Sequence, residues 1–193
     1  MSPDIAATQK VPALRVLSPV RHRDERGFFS EVWREDALAR AGIGCRFVQE
    51  NHALSRAPWT VRGLHFQIGR AAQAKLIRCS RGSIFDVAVD IRRGSPSFGR
   101  YLATVLSEGN WHQLYVPAGF AHGYCTLEPD TEVIYKVSAY YDPQSERGVA
   151  WDDPELGISW PASAEAAILT DRDRAWPRLR ELADCFSYSD WPD

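Results

Sequence analysis

The sequence predicts a mainly β domain, a barrel or sandwich of short strands edged by a few short helices, and three observations carry that expectation. From about residue 61 to residue 141, runs rich in Val, Ile, Tyr and Phe alternate with turn material at Arg81-Gly82, Gly94-Ser95-Pro96, Glu108-Gly109-Asn110 and Pro117-Ala118-Gly119. Within that stretch residues 84–91 keep period two, with Phe85, Val87, Val89 and Ile91 on one face and Asp86, Ala88 and Asp90 on the other. Helical periodicity, by contrast, is sparse.

Taken in order, the first helical segment covers residues 34–41 and is closed by Gly42. The strand at 84–91 buries one face; its carboxylate face is either solvated or turned into a polar barrel interior. After the strands, Asp152-Asp153-Pro154-Glu155-Leu156-Gly157 and Trp160-Pro161 make a turn-rich excursion. A C-terminal helix is expected over about 174–186, because Leu179, Leu182, Ala183 and Phe186 fall at i, i+3, i+4 and i+7. No repeat or linker divides the chain, and its 193 residues fit one domain, 1–193.

Composition narrows the function. Hydrophobic residues at 45% and aromatics at 11% argue for a folded chain. A formal net charge of −2 supplies no general field for nucleic acid or an anionic membrane, so an anionic ligand must be held by a few placed cations. Lysine is rare: Lys10, Lys75 and Lys136 are the three lysines, and two of them interrupt apolar strands, where an ammonium is costly unless paired. Cys45, Cys79, Cys125 and Cys185 show no ligand-like or paired spacing. With no secretory or membrane-spanning segment in the pattern, they predict buried thiols in a reducing cytoplasm.

Four pieces carry candidate chemistry. Arg62-Gly63-Leu64-His65-Phe66-Gln67 puts a cation and an imidazole three apart, on opposite faces of a strand unless Gly63 permits a bulge. A lone strand histidine is more often structural than a base. Pro117-x-Gly119-x-x-His122 resembles the second half of the cupin pattern. The first half, His-x-His with a downstream Glu, is reduced to His65 followed by Gln67. The ligand set for iron or manganese is thus incomplete, and the expectation is a cupin-like jelly-roll barrel working without metal or other cofactor. Tyr135-Lys136, followed by Tyr140 and Tyr141, offers a phenol that is either core or an acid. Leu169-Thr170-Asp171-Arg172-Asp173 is either a helix start or the source of a carboxylate that orients an imidazole.

With these, the order Asp24-Glu25-Arg26-Gly27-Phe28-Phe29-x-Glu31, Phe47-Val48-Gln49-x-Asn51-His52, Arg62-Gly63-Leu64-His65-Phe66-Gln67, Ala74-Lys75-Leu76, Asp86-Val87-Ala88-Val89-Asp90 and Gly119-Phe120-Ala121-His122-Gly123 resembles the dTDP-4-dehydrorhamnose 3,5-epimerase family. Phe98-Gly99, Leu106-Ser107, Tyr135-Lys136, Tyr140-Tyr141 and Ile158-x-Trp160-Pro161 extend the resemblance over about residues 11–180. It implies an isomerase that inverts C3 and C5 of a dTDP-linked 4-keto-6-deoxy sugar by proton removal beside the C4 carbonyl, in dTDP-L-rhamnose biosynthesis. That chemistry needs a base, an acid on the opposite face and a group to hold the enolate oxygen. By resemblance His65 is the base and Asp173 its orienting carboxylate, with Asp171 the competitor. Tyr135 is the acid, and Lys75 stabilises the enolate with Asp86 as its partner.

The resemblance further implies that Arg26, Arg62 and Arg172 hold the diphosphate. Gln49, Asn51 and His122 line the cavity, Tyr140 stacks on thymine and Glu31 reads the base edge. A homodimer is implied, in which an N-terminal strand arm at about 11–33 crosses over so that Arg26, Phe29 and Glu31 complete the partner's site. This sequence departs from the family pattern at His22, where many members have Phe, at Ala53 in place of Ser, and at Arg172 in place of Lys. His22 and Ala53 motivate the alternative of a single-position C3 or C5 epimerase. A metal-dependent cupin enzyme and a non-catalytic sugar-nucleotide binder are the remaining classes.

Overall fold

The computed structural model of the chain describes residues 11–183 and 185–191; Lys10 lies outside them. The strands are β1 (Arg15–Leu17), β2 (His22–Asp24), β3 (Gly27–Phe29), β4 (Gln49–Ser55), β5 (Val61–Gln67), β6 (Lys75–Arg81) and β7 (Ser83–Asp90). They continue with β8 (Arg92–Arg93), β9 (Tyr101–Ser107), β10 (Gln113–Val116), β11 (Phe120–Thr126), β12 (Thr131–Val137), β13 (Glu146–Gly148) and β14 (Phe186–Ser187). Two short helices, α1 (Glu35–Arg40) and α2 (Asp171–Arg174), accompany them.

Two five-stranded antiparallel sheets form the jelly roll, one in the order β1-β10-β6-β12-β4 and the other β13-β5-β11-β7-β9. Between them lies an apolar layer drawn from both, including Ile77, Cys79, Leu114 and Val133 from the first sheet and Ile84, Ala88, Leu106 and Phe120 from the second. A larger cluster covers the outer face of the second sheet, where Phe85, Val87, Val89 and Ile91 pack with Trp151, Leu179, Leu182 and Phe186 of the C-terminal third. Helix α1 and the turn that follows it close the outside of the first sheet, with Leu38 and Ile43 on Leu76.

The period-two reading of β7 thus finds both faces buried, and the carboxylate side is interior, not solvated. Asp90 is held there by Arg92 in a buried fork-like pair with Nη2–Oδ2 at 2.7 Å, between the rings of Phe120 and Tyr188. Of the four free thiols, Cys79 and Cys125 are buried while Cys45 and Cys185 are half-buried.

The helix expected over about 174–186 does not form. Helical structure ends at Arg174, a single 3-10 turn occupies Leu179–Glu181, and the chain is extended at Phe186–Ser187. Pro177 removes a backbone donor and turns the preceding residue away from helical geometry. Leu179, Leu182 and Phe186 are nonetheless buried. Their spacing reports burial by a segment wrapped on the sheet, which asks for an apolar residue every three or four positions without a helix.

Candidate active site

The strand that carries His65 is bent for the purpose. Against β11, His65 pairs with His122 and Arg62 with Tyr124, so three steps on β5 oppose two on β11. The extra residue is a bulge, and it reverses the alternation so that Arg62 and His65 both line one cavity. Gly63, at φ 134°, makes this possible: a Cβ there would lie 2.5 Å from the Gly123 Cα.

That cavity, about 380 Å³, opens between the sheets at one end of the barrel. The first sheet supplies Gln49, Asn51 and Ala53 from β4, Lys75 from β6 and Tyr135 from β12; the second supplies Arg62 and His65, His122 and Tyr124 from β11, and Glu146 from β13. His65 and Tyr135 therefore come from opposing walls.

His65 Nε2 lies 2.6 Å from Asp173 Oδ1. A parallel bridge between Thr60 and Ile168 lays the preceding segment along the start of β5, and Thr170 caps α2 by accepting from the Asp173 N–H. Burial alone would raise the Asp173 carboxyl, but the hydrogen bond and charge of His65, with Thr170 and Arg172, hold it below the ordinary carboxylate range. An ionised carboxylate only accepts, so Nε2 is the donor in this bond. Asp171 is exposed at the start of the helix, and Asp173 is the residue that reaches the imidazole.

Lys75 begins β6, is buried, and directs Nζ to the His65 carbonyl at 3.4 Å. Desolvation lowers its ammonium to about 8, opposed by the charges of Asp86 and Glu146. Asp86 was expected to orient Lys75 directly. It instead accepts from His122 Nε2, at 2.9 and 3.1 Å, and acts on Lys75 only as a nearby charge, because β11 pairs with β7 and sets His122 opposite Ala88, one position diagonal to Asp86. Burial raises the Tyr135 hydroxyl, with Arg62 opposing, so the phenol stays protonated. Lys136, the other strand lysine, points outward, pairs with Glu50 and covers Trp33.

Arg62 and Arg172 supply cations at the cavity; Arg172 Nη1 bonds Glu146 Oε2 at 2.6 Å. Gln49 donates to Asn51 Oδ1 at 2.8 Å. Tyr140 is not on the cavity wall; it borders an adjoining groove with Val48, Ile68 and Arg70, whereas Tyr141 lines the cavity. Arg26, Phe29 and Glu31 also lie off the cavity, on the N-terminal arm: Arg26 pairs with Asp24 at 2.6 Å, Glu31 lies 3.7 Å from Arg34, and the Phe29 ring is 70% exposed.

Glu146, Gln73, Tyr124 and Trp176 escaped the sequence reading. Trp176 sits edge-on to His65 with centroids 6.0 Å apart, and its ring lies flat on Gly148, the residue paired with His65 in the sheet. Its indole nitrogen has no partner among the described residues. Only the glycine two positions beyond Glu146 hinted at such a close approach. Among the described residues, no three His, Cys, Asp or Glu side chains gather as a metal-ligand set, and no helix is long and apolar enough to cross a membrane.

A jelly roll whose mouth joins an imidazole–carboxylate pair, a buried ammonium and an opposing phenol defines a proton-transferring isomerase of the sugar-nucleotide epimerase class. The profile of dTDP-4-dehydrorhamnose 3,5-epimerase matches residues 8–181, and the chain belongs to that family. It is 46% identical over 178 residues to the dTDP-4-dehydrorhamnose 3,5-epimerase of Sinorhizobium fredii, covering 92% of this chain and 91% of that protein. The dTDP-6-deoxy-D-glucose-3,5-epimerase of Legionella pneumophila, solved with dTDP-4-keto-L-rhamnose, superposes with a TM-score of 0.88 at 38% identity, over 93% of this chain and 96% of that one. A 3'-monoepimerase from Streptomyces bikiniensis, solved with dTDP-quinovose, gives 0.85 at 34% identity, over 93% and 91%.

Proposed function

We propose that the chain epimerises dTDP-4-dehydro-6-deoxy-D-glucose at C3 and C5 to dTDP-4-dehydro-L-rhamnose, as a step of dTDP-L-rhamnose synthesis. The observation that carries this is the His65–Asp173 pair at 2.6 Å on one cavity wall with the Tyr135 phenol on the other. His65 takes the proton from the carbon beside the C4 ketone through Nδ1. Asp173 holds the ring and balances the imidazolium that forms. The Lys75 ammonium stabilises charge that exists in the enolate and not in the ketone, which is what lowers a barrier. Tyr135 returns a proton from the opposite face, so the carbon is rebuilt inverted. Arg62 and Arg172, with Arg26 from a second copy, neutralise the diphosphate. Gln49, Asn51 and His122 fix the sugar, and Tyr140 stacks on the base.

The working unit is a homodimer. The arm is tied to its own body through Arg21 on the Glu108 and Gly109 carbonyls and Gln113 on the Val32 carbonyl, and Arg26, Phe29 and Glu31 are not among the residues lining their own cavity. Free thiols support a cytoplasmic setting. Metal independence is part of this reading because the Lys75 ammonium supplies, at the enolate oxygen, the positive charge that a metal ion would otherwise provide.

Incubation of the protein with the 4-keto sugar nucleotide in D2O, followed by NMR with and without a rhamnose-forming reductase, tests this. Deuterium at C3 and C5 with trapped dTDP-L-rhamnose is expected. Label at one carbon alone moves the chain to the single-position reading, which Ala53 on the cavity wall and the likeness to a 3'-monoepimerase favour; no label leaves a binding protein.

A further inference from the structure

Between β12 of the first sheet and β13 of the second, residues 138–142 carry the chain across the cavity mouth without a strand ladder. This segment is half exposed, with Tyr140 at 71% and Tyr141 at 50%, and side-chain partners fix its course where a strand ladder would otherwise do so. Glutamine side chains supply the partners. Gln73 Nε2 donates to the Ala139 carbonyl at 2.8 Å, Gln67 Nε2 to the Tyr140 carbonyl at 3.2 Å, Gln49 Oε1 accepts from the Tyr141 N–H at 3.0 Å, and Gln67 Oε1 accepts from the Asp142 N–H at 2.7 Å.

Gln67 is the central member. It is 3% exposed, sits two residues after His65 on β5, and Nε2 also donates to the Ala71 carbonyl at 2.8 Å. Its one planar amide thus joins the strand of the base, the 69–71 turn and the mouth segment. The amide offers two N–H donors and a carbonyl acceptor on one planar group; an ionised carboxylate cannot donate, and an apolar side chain does neither. The segment it holds presents Tyr141, whose hydroxyl donates to Glu146 Oε2 at 2.9 Å, the oxygen that also binds Arg172. Tyr140 of the same segment, in the adjoining groove, is the ring proposed to meet the base, and Arg172 beside Tyr141 is the cation that a diphosphate would meet.

We infer that Gln67 is a positioning residue for the nucleotide end of the substrate, seating the 138–142 segment as a cavity wall with Gln73 and Gln49 as helpers. The inference rests on the sugar-nucleotide reading above. Because the clamp acts on the rim and not on the reacting carbons, its loss weakens binding much more than turnover of bound substrate.

The test compares the unmodified protein with Gln67→Glu, Gln67→Leu and Gln73→Leu. For each, thermal melting is recorded, dTDP affinity is measured by calorimetry, and KM and the saturated rate of deuterium exchange are determined. In the Gln67 variants KM and the dTDP Kd should rise about tenfold or more, with the saturated rate within about threefold, and in Gln73→Leu, which loses one bond, the rise should be smaller. Unchanged dTDP affinity in a folded Gln67 variant overturns the inference, as does a fall in saturated rate with KM constant. Should the Gln67 variants fail to fold, Gln73→Leu decides alone, since its amide touches this segment only through Ala139. Failure of the unmodified protein to bind dTDP overturns the sugar-nucleotide reading and the inference with it.

Discussion

His65 and His122 face each other on paired strands, and each gives Nε2 to a carboxylate, at 2.6 Å to Asp173 and 2.9 Å to Asp86. The mountings differ. Asp86 belongs to β7, the strand next to β11, and is fully buried in the ladder, whereas Asp173 stands on a four-residue helical turn laid over the barrel from outside. The His65 side chain keeps 22% of its surface, against 8% for His122. A group that must gain and lose a proton in each cycle needs access and a partner tuned to its charged form, and the first pair has both. The second is built like core, with the charge of Lys75 beside it, and suits a fixed contact to substrate.

The sharpest way to break this comparison is to remove each imidazole in turn. His65→Asn should cut deuterium exchange at C3 and C5 by about 10²–10⁴, the range of general base catalysis. His122→Asn should cost about tenfold, the scale of one lost hydrogen bond to a ligand. Equal losses would mean that both histidines move protons.

Lys75→Met separates activity from stability. Removing the charge that meets the enolate should lower the saturated rate about 10²–10³. The folded ammonium titrates at about 8, below its ordinary 10.5, so between those values the unfolded chain binds more protons and stability rises with pH. Activity runs the other way, falling as pH rises through about 8. The variant should melt higher than the unmodified protein at pH 7, where burying the charge costs most, and should lose the stability gain between pH 8 and 10.5. A lower melting temperature at pH 7 would show that Asp86 and Glu146 more than compensate its burial.

The carboxylates repeat the contrast with smaller effects. Asp173→Asn should lower the exchange rate about a hundredfold, because the imidazole loses the partner that stabilises its charged form, and should also lower melting somewhat, since the folded state favours the ionised carboxyl. Asp86→Asn should show the reverse weighting, a stability loss of about 1–3 kcal/mol in urea titration with a modest rate change, as expected for a buried group whose hydrogen bonding is disturbed.

How much of this was legible depended on the range of the signal. Strands are punctuated locally, so turn residues and the alternation along β7 announced the sheets, and lysine scarcity singled out Lys75 before any partner was visible. Whether Arg62 and His65 share a face hung on Gly63, which the sequence posed as a condition and the bulge answered. Contacts made across large sequence distances left no local trace: Asp86 with His122, Arg172 with Glu146, and the three glutamines on the mouth segment. The C-terminal third misled because an irregular segment wrapped on a sheet buries residues at nearly the spacing of a helix.

The support of the first pair makes the finest test. A Cβ on Gly148 would lie 2.4 to 2.6 Å from three atoms of the Trp176 ring, so something must move in Gly148→Ala. The strand is the stiffer side, since Val149 and Leu64 exchange backbone hydrogen bonds at 2.9 and 3.3 Å next to it, and Gly148 holds no positive φ that alanine would resist. The ring therefore gives way, and it lies edge-on to His65 and three residues beyond Asp173. Gly148→Ala should slow exchange about tenfold, roughly the effect of misplacing a supporting group by a fraction of an ångström. The double variant with Trp176→Ala, which relieves the clash, should lose less than the sum of the two single changes, a coupling that a double-mutant cycle reads directly. Additive losses would show that the indole packs beside the imidazole without holding it.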